Sequence, residues 1–335
     1  MLIMLFANSG NRLRLNYNHF NDNLNISCGI LEMIKVGKKI LPYTQSAIDK
    51  KKDIAYLKAY NEYLERVRIG FNGASDGYVD YINLLTSSVG KTKREYLGYG
   101  ANEAFGMMDT TGSASGLSSN RVVQKAKNEL IEKNELLLFW YKRQGFSLEI
   151  DDVVIRTINS IGFASQQIFL FACNSILDSP TFVVILFNDE NTLIATGVSY
   201  SGTYHHSFIG ALYEAKLLER INLETAYSPY SAISPEIHNE VYQYVCRLRD
   251  TLPKRTLANF VETKAATLPR WLTSLNVAVL NTKGFQRELT VRCFSSDLLN
   301  CIPLKDNIMH SHNNTIIMEY SILYDLGGTP NCLVV

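Results

Sequence analysis

Seven consecutive uncharged, strand-favouring residues, Thr181-Phe182-Val183-Val184-Ile185-Leu186-Phe187, do most to limit what this chain can fold into. Asn188-Asp189-Glu190-Asn191 follows as turn chemistry, and Leu193 to Tyr200 returns, so a hairpin is predicted. Gln167 to Ala172, Val277 to Leu280 and Leu289 to Phe294 read as further strands, the last two joined through a Thr282-Lys283-Gly284 turn. Three segments carry helical spacing instead: Ile54 to Arg68, Asn120 to Arg143 and His205 to Arg220. Asn120 is the expected N-cap of the second helix and Gly145 its expected stop. Strands and helices mix without strict βαβ alternation, which predicts a mixed α/β (α+β) domain. At 335 residues, 46% of them hydrophobic, the chain can bury one large core or two small ones. No repeat, low-complexity linker or proline cluster divides it. Residues 1–49 are expected to form a strand-and-loop segment packing on a main domain of residues 50–335.

Charge and cysteine usage exclude several classes. Lys and Arg number 33 against 32 Asp and Glu, so net charge gives no reason to expect a nucleic acid or an acidic membrane as partner. The opening run Met1-Leu2-Ile3-Met4-Leu5-Phe6 is too short for a signal-peptide core and reads as a buried first strand. No stretch of about 18 uninterrupted apolar residues is present, so no spanning helix is expected. Six scattered cysteines form no CxxC pair, which fits reduced thiols in a cytoplasm.

The three helices carry carboxylates among Leu, Ile, Ala and Tyr. Glu62 and Glu65 are three residues apart and precede Arg66. Glu129 and Glu132 repeat that spacing before Lys133. Glu214 has apolar neighbours on nearly every side. Residues three apart on a helix share a face. Most ExxE pairs on amphipathic helices form a solvated stripe, yet buried carboxylates are costly unless paired or metal-bound. Carboxylates converging from several helices can hold Mg²⁺, which takes oxygen ligands and shares them with substrate phosphates. Such a constellation would bind a nucleotide without a P-loop. Ser88-Val89-Gly90-Lys91-Thr92 resembles a Walker A ending, but Leu85 stands where its first glycine belongs, so a surface loop is expected there. His205-His206 and His310-Ser311-His312 read as capping or loop residues, and Phe139-Trp140-Tyr141 as core.

These residues together carry a family resemblance. Gly112-Ser113-Ala114-Ser115-Gly116-Leu117-Ser118-Ser119, running into Asn128-Glu129-Leu130-Ile131-Glu132-Lys133 and then Phe139-Trp140, resembles the hallmark of the YcaO family. Asn61-Glu62-Tyr63-Leu64-Glu65-Arg66 is similar to that family's first motif. Thr196-Gly197-Val198-Ser199-Tyr200 with Glu214 is similar to the third, and Phe294 to Leu299 to a late strand and loop. The likeness spans roughly residues 50 to 310 and sits nearest the YcaO subunit of microcin B-type azole synthetases. It implies a YcaO-like domain with ATP and Mg²⁺ between the acidic helices. Glu62, Glu65, Glu129, Glu132 and Glu214 would be the carboxylates and Arg66 would face phosphate. It also implies ATP-dependent cyclodehydration of Cys, Ser or Thr in a ribosomal precursor peptide, giving thiazoline or oxazoline with ADP and phosphate. Implied partners are that peptide, an E1-like leader-binding protein and a flavin-dependent azoline dehydrogenase. The chain departs from the pattern at Ala59 (serine in the motif), at Lys133 (arginine), and around Glu214, where Ala211 and Leu217 stand and no glutamine accompanies it. The C-terminus, Thr329 to Val335, has one proline where many azole-forming members carry several. The missing proline tail favours a thioamide-forming relative. Lys133 and the lost glutamine favour a weakened, scaffolding one.

Overall fold

Alternating and continuous apolar runs build two five-stranded sheets, and three long helices pack against them. The computed structural model describes residues 24–30, 35–36, 39–40, 44–224, 230, 232–260, 268–280 and 287–334. The run Met1 to Phe6 and the turn at Thr282 to Gly284 lie outside the described residues.

From the N-terminus come β1 (Asn25–Ile30), β2 (Lys35–Val36), β3 (Lys39–Ile40), β4 (Thr44–Asp49) and α1 (Lys52–Gly73). Then follow β5 (Tyr78–Asn83), β6 (Val89–Lys93), β7 (Gly100–Asn102), β8 (Gly106–Met108), β9 (Ser113–Gly116) and α2 (Ser119–Lys142). The middle of the chain holds β10 (Phe146–Leu148), α3 (Asp152–Ile161), β11 (Gln167–Cys173), β12 (Thr181–Phe187), β13 (Leu193–Ser199) and α4 (Tyr204–Glu224). The remainder comprises α5 (Pro235–Thr251), β14 (Lys254–Arg255), β15 (Asn276–Val279), β16 (Leu289–Phe294) and the short helices α6 (Lys305–Met309), α7 (Thr315–Glu319) and α8 (Ile322–Asp325).

One sheet runs β13-β12-β11-β10-β14, antiparallel except for β10 against β14; the other runs β6-β5-β15-β16-β9, antiparallel throughout. The predicted hairpin is β12 with β13, and every residue of β12 is buried. Helix α2 joins the two sheets: it packs on β9 and β16 of one and on β11, β12 and β13 of the other. Its C-terminal half, Leu136 to Tyr141, is buried without a break, so Phe139-Trp140-Tyr141 is core as expected. Trp140 Nε1 donates to the Pro330 carbonyl at 2.9 Å, which satisfies the one polar atom of a fully buried indole.

Three local expectations need correction. The N-cap of helix α2 lies two residues early, with Ser118 rather than Asn120 in the extended N-cap conformation. The helix stops at Arg143, which takes the left-handed conformation (φ 53°) in place of Gly145, and the Arg143 N–H closes on the Leu138 carbonyl. Ser88 to Thr92 is not a surface loop. Its residues enter β6, where Gly90 lies under the Tyr81 ring so closely that a Cβ would collide with it.

Candidate nucleotide site between the acidic helices

Helix α1 is anchored at the turn beyond its glutamates. Arg68, fully buried, donates from Nη1 to Thr290 Oγ1 at 2.6 Å and to the Glu288 carbonyl at 2.9 Å. Thr290 in turn meets Ser115 Oγ at 2.5 Å, so α1, β16 and β9 are pinned at one point. Glu65 lies three residues before Arg68, hence on the same face of α1. It is 6% exposed, and its Oε1 has no hydrogen-bond partner among the described residues. Burial pushes its carboxyl up to about 7 against the pull of Lys125.

The serine- and glycine-rich stretch acts through β9. Gly112 holds a φ of 77°, and a Cβ there would strike the Cys293 carbonyl. Cys293 N–H donates to the Gly112 carbonyl at 2.6 Å. This close approach sets Ser113 opposite Arg292 in the β9–β16 register and leads the chain into α2. Glu129 and Glu132 follow. Burial raises Glu129 well above the usual carboxylate range, and the Glu65 carboxylate adds to the effect; no described residue hydrogen-bonds to it. Glu132, also raised by burial, accepts from Tyr200 N–H at 2.9 Å and from Lys133 Nζ at 3.1 Å. Burial opposes the charge on Lys133, but Glu132, Glu214 and Glu129 together hold its pKa above the usual lysine value.

Helix α4 reaches the same place by tight packing on β13. A Cβ on Gly197 would run into the Ala211 carbonyl and the Ala215 N–H. With glycine below and alanines above, Glu214 comes within 3.1 Å of Val198 N–H, from which it accepts. The residue as a whole is exposed, yet its carboxyl is raised to about 8 by desolvation and by Glu132. An accessible group with a desolvated carboxyl belongs to the wall of a cleft.

Glu65, Glu129, Glu132 and Glu214 therefore face one another electrostatically, with Lys125 and Lys133 between them. Glu62 stands at the margin: it accepts from Ser46 N–H at 2.8 Å and pairs with Arg66 at 2.5 Å. Arg66 Nη2 is thus engaged within its own helix. Among the described residues no three His, Cys, Asp or Glu donors form a ready-made metal cage. Cavities of about 190 and about 680 Å³ lie elsewhere, beside His310 and beside His205.

Sequence reading missed two basic residues here. Arg292 is 0% exposed, and Nε, Nη1 and Nη2 all lack a hydrogen-bond partner among the described residues. Burial lowers its pKa, while Asp109, Tyr99 and Glu129 favour its charge. A lone charge inside the otherwise uncharged run Leu289 to Phe294 was the available signal. Lys125 lies 3.6 Å from Glu65 Oε1 and four residues before Glu129, a spacing that reads as an ordinary surface pair. A buried guanidinium without acceptors and a buried carboxylate oxygen without donors leave room for an anion and a cation respectively. These residues fit a polyphosphate with its metal, since Mg²⁺ is commonly held by one or two carboxylates plus phosphate oxygens.

No family model matches this sequence, and no curated protein matches it. Solved structures do. YcaO from Methanopyrus kandleri, bound with AMPPCP and Mg²⁺, superposes with a TM-score of 0.67 at 12% identity, over 83% of this chain and 84% of that one. The E. coli microcin synthetase McbBCD complex gives 0.57 at 13%, over 89% and 95%. A heterocyclase in complex with substrate and cofactor gives 0.60 at 12%, over 83% of this chain and 48% of the other. This chain has two antiparallel-rich sheets bridged by a long helix. That architecture is the YcaO fold.

Proposed function

We propose that this chain binds ATP with Mg²⁺ between α1, α2 and α4 and uses it to activate backbone amides of a ribosomally made peptide, closing Cys, Ser or Thr residues into azolines. The observation that carries this reading is Arg292, a fully buried guanidinium with no acceptor among the described residues, set beside the raised carboxyl of Glu129. A buried cation left in this state is costly, and a phosphate would relieve it. Glu65, Glu129, Glu132 and Glu214 would supply oxygen ligands to the metal; Arg292 would grip phosphate. ATP would supply the phosphoryl group that makes the amide oxygen a leaving group. The protein's part is positioning and charge neutralisation, which is most of what phosphoryl transfer asks of an enzyme. The fold's likeness to a YcaO bound with AMPPCP and Mg²⁺ supports the cofactors. Its likeness to a microcin synthetase complex supports work beside partner proteins; an E1-like leader-binding subunit, a flavin-dependent dehydrogenase and a cytoplasmic setting are part of the proposal itself. Among the described residues no helix is long and apolar enough to cross a membrane.

Peptide-dependent phosphate release by the assembled complex tests the reading, with mass spectrometry following water loss from the precursor peptide. Arg292→Met should abolish phosphate release and weaken binding of a non-hydrolysable ATP analogue. Unchanged binding in that variant would remove the nucleotide site from this cleft. A second reading, a scaffold or peptide-binding subunit, is favoured by the Lys133–Glu132 ion pair, in which an ammonium already occupies one carboxylate. A wild-type complex silent in the assay with correct partners and peptide would select it.

A further inference from the structure

The carboxylates of the cleft are not alike in their partners. Glu132 and Glu214 accept backbone N–H groups from β13 and its C-terminal end, and Lys133, 9% exposed, is packed among them. Glu65 and Glu129 accept no hydrogen bond from the described residues, and what faces them is Lys125. Its Nζ stands 3.6 Å from Glu65 Oε1, beyond hydrogen-bonding distance, and its charge is held by Glu65, Glu129 and Glu62 together. The Lys125 side chain is 60% exposed while that of Glu65 is 7% exposed. A largely solvated ammonium thus stands beside the buried Glu65 carboxylate and the half-buried Glu129. Oxygen ligands brought to such a pair from two helices are the usual request for a divalent cation. A lysine is a compact point charge on a flexible stem, and it can stand where such an ion would.

We propose that Lys125 is a built-in monocation at the Glu65–Glu129 pair, so that this chain needs one divalent ion fewer at its nucleotide site than its carboxylates would otherwise demand. The proposal rests on the reading of the cleft as a nucleotide site, but its central claim concerns the empty protein: Lys125 weakens the binding of Mg²⁺ at the pair, and its neutral replacement strengthens it. Lys125 is on the exposed side of α2, so its neutral replacement should fold.

The test is calorimetric titration of Mg²⁺ into the nucleotide-free full chain, comparing wild type with Lys125→Gln, Lys125→Met, Lys125→Arg and, as a same-helix control, Lys127→Gln. Lys125→Gln and Lys125→Met should bind Mg²⁺ on the order of tenfold more tightly than wild type, the scale of removing one nearby like charge at a partly solvated site. Lys125→Arg keeps the charge and should behave as wild type, as should Lys127→Gln. In parallel, affinity for a non-hydrolysable ATP analogue should depend more steeply on Mg²⁺ in Lys125→Gln than in wild type. Equal Mg²⁺ affinity in wild type and both neutral variants overturns the proposal, as does an equal gain in Lys127→Gln. Wild type that binds the analogue while no Lys125 variant gains Mg²⁺ affinity leaves the nucleotide reading standing and removes this one. A gain in Mg²⁺ affinity with no analogue binding by any form does the reverse.

Discussion

Helix α2 carries glutamates at 129, 132 and 135, evenly spaced and on nearly one face, and the protein treats its two ends differently. Glu135, 0% exposed, accepts from three consecutive backbone N–H groups: Ser175 at 2.7 Å, Ile176 at 2.6 Å and Leu177 at 3.0 Å. Burial pushes it up to about 7, and those three donors restrain the rise. Glu129, two turns earlier, has no such donors, and its carboxyl is raised well above the usual range. Glu132 lies between the two in commitment, with one backbone donor and one lysine. A carboxylate that folds a loop is satisfied by the protein itself. One that waits for a ligand is kept close to charge but short of hydrogen bonds.

The contrast can be broken by mutation. Glu135→Ala would strand three buried N–H donors and should lower unfolding free energy by about 3–5 kcal/mol, read from denaturant melts. Glu129→Gln in the same experiment should stay within about 0.5 kcal/mol of wild type. A comparable loss in both would erase the distinction. Next in size, Glu129→Gln and Glu132→Gln should each slow peptide-dependent phosphate release by about 10²–10³-fold in the assembled complex, an electrostatic loss of about 2.7–4 kcal/mol in the transition state. Release at the wild-type rate in both would leave these glutamates as a mere helical stripe. Glu62→Gln should slow release by less than about tenfold, because Glu62 is already engaged by Arg66 and Ser46 in a partly exposed pair of modest worth.

A pH series sharpens the comparison with a smaller, graded effect. Glu65 and Glu135 are raised to about 7 and Glu214 to about 8, from 4.5. The folded protein therefore holds more protons than the unfolded chain between these values, and stability must fall as pH rises from about 4.5 towards 8. Thermal melts should drop across that window. Mg²⁺ with a non-hydrolysable ATP analogue should recover part of the loss at pH 8, and Glu214→Gln should flatten the upper end of the curve. A melting temperature that climbs steadily from pH 5 to pH 8 would contradict the raised pKa of these carboxyls.

Much of this was legible along the chain. The β12–β13 hairpin shows in Thr181 to Tyr200 because Phe182 to Phe187 are apolar on both faces and the turn residues sit between that run and the returning strand. The long helices show because their buried faces repeat at helical spacing, and the YcaO resemblance places the fold. Helix ends were less legible: Ser118 and Asn120 are both good N-caps by type, and the start of α2 is decided by how β9 delivers the chain. Arg292 was hidden for a topological reason. It gains its meaning from Asp109, Tyr99 and Glu129, more than 160 residues away, and only β9–β16 pairing brings them to it. Lys125 was hidden by ambiguity, since a lysine four residues before a glutamate is also what a solvated helix face looks like.

Gly197 sets a manufacturing tolerance for the whole cleft. Helix α4 sits on β13 with backbone against backbone, and the height of the Glu214 carboxylate above Val198 N–H is fixed by the absence of one methyl group. A single carbon added at residue 197 acts like a shim under one jaw of a vice. It would lift α4 from β13 and move one carboxylate out of line with the other three, while leaving every charged residue of the site unchanged.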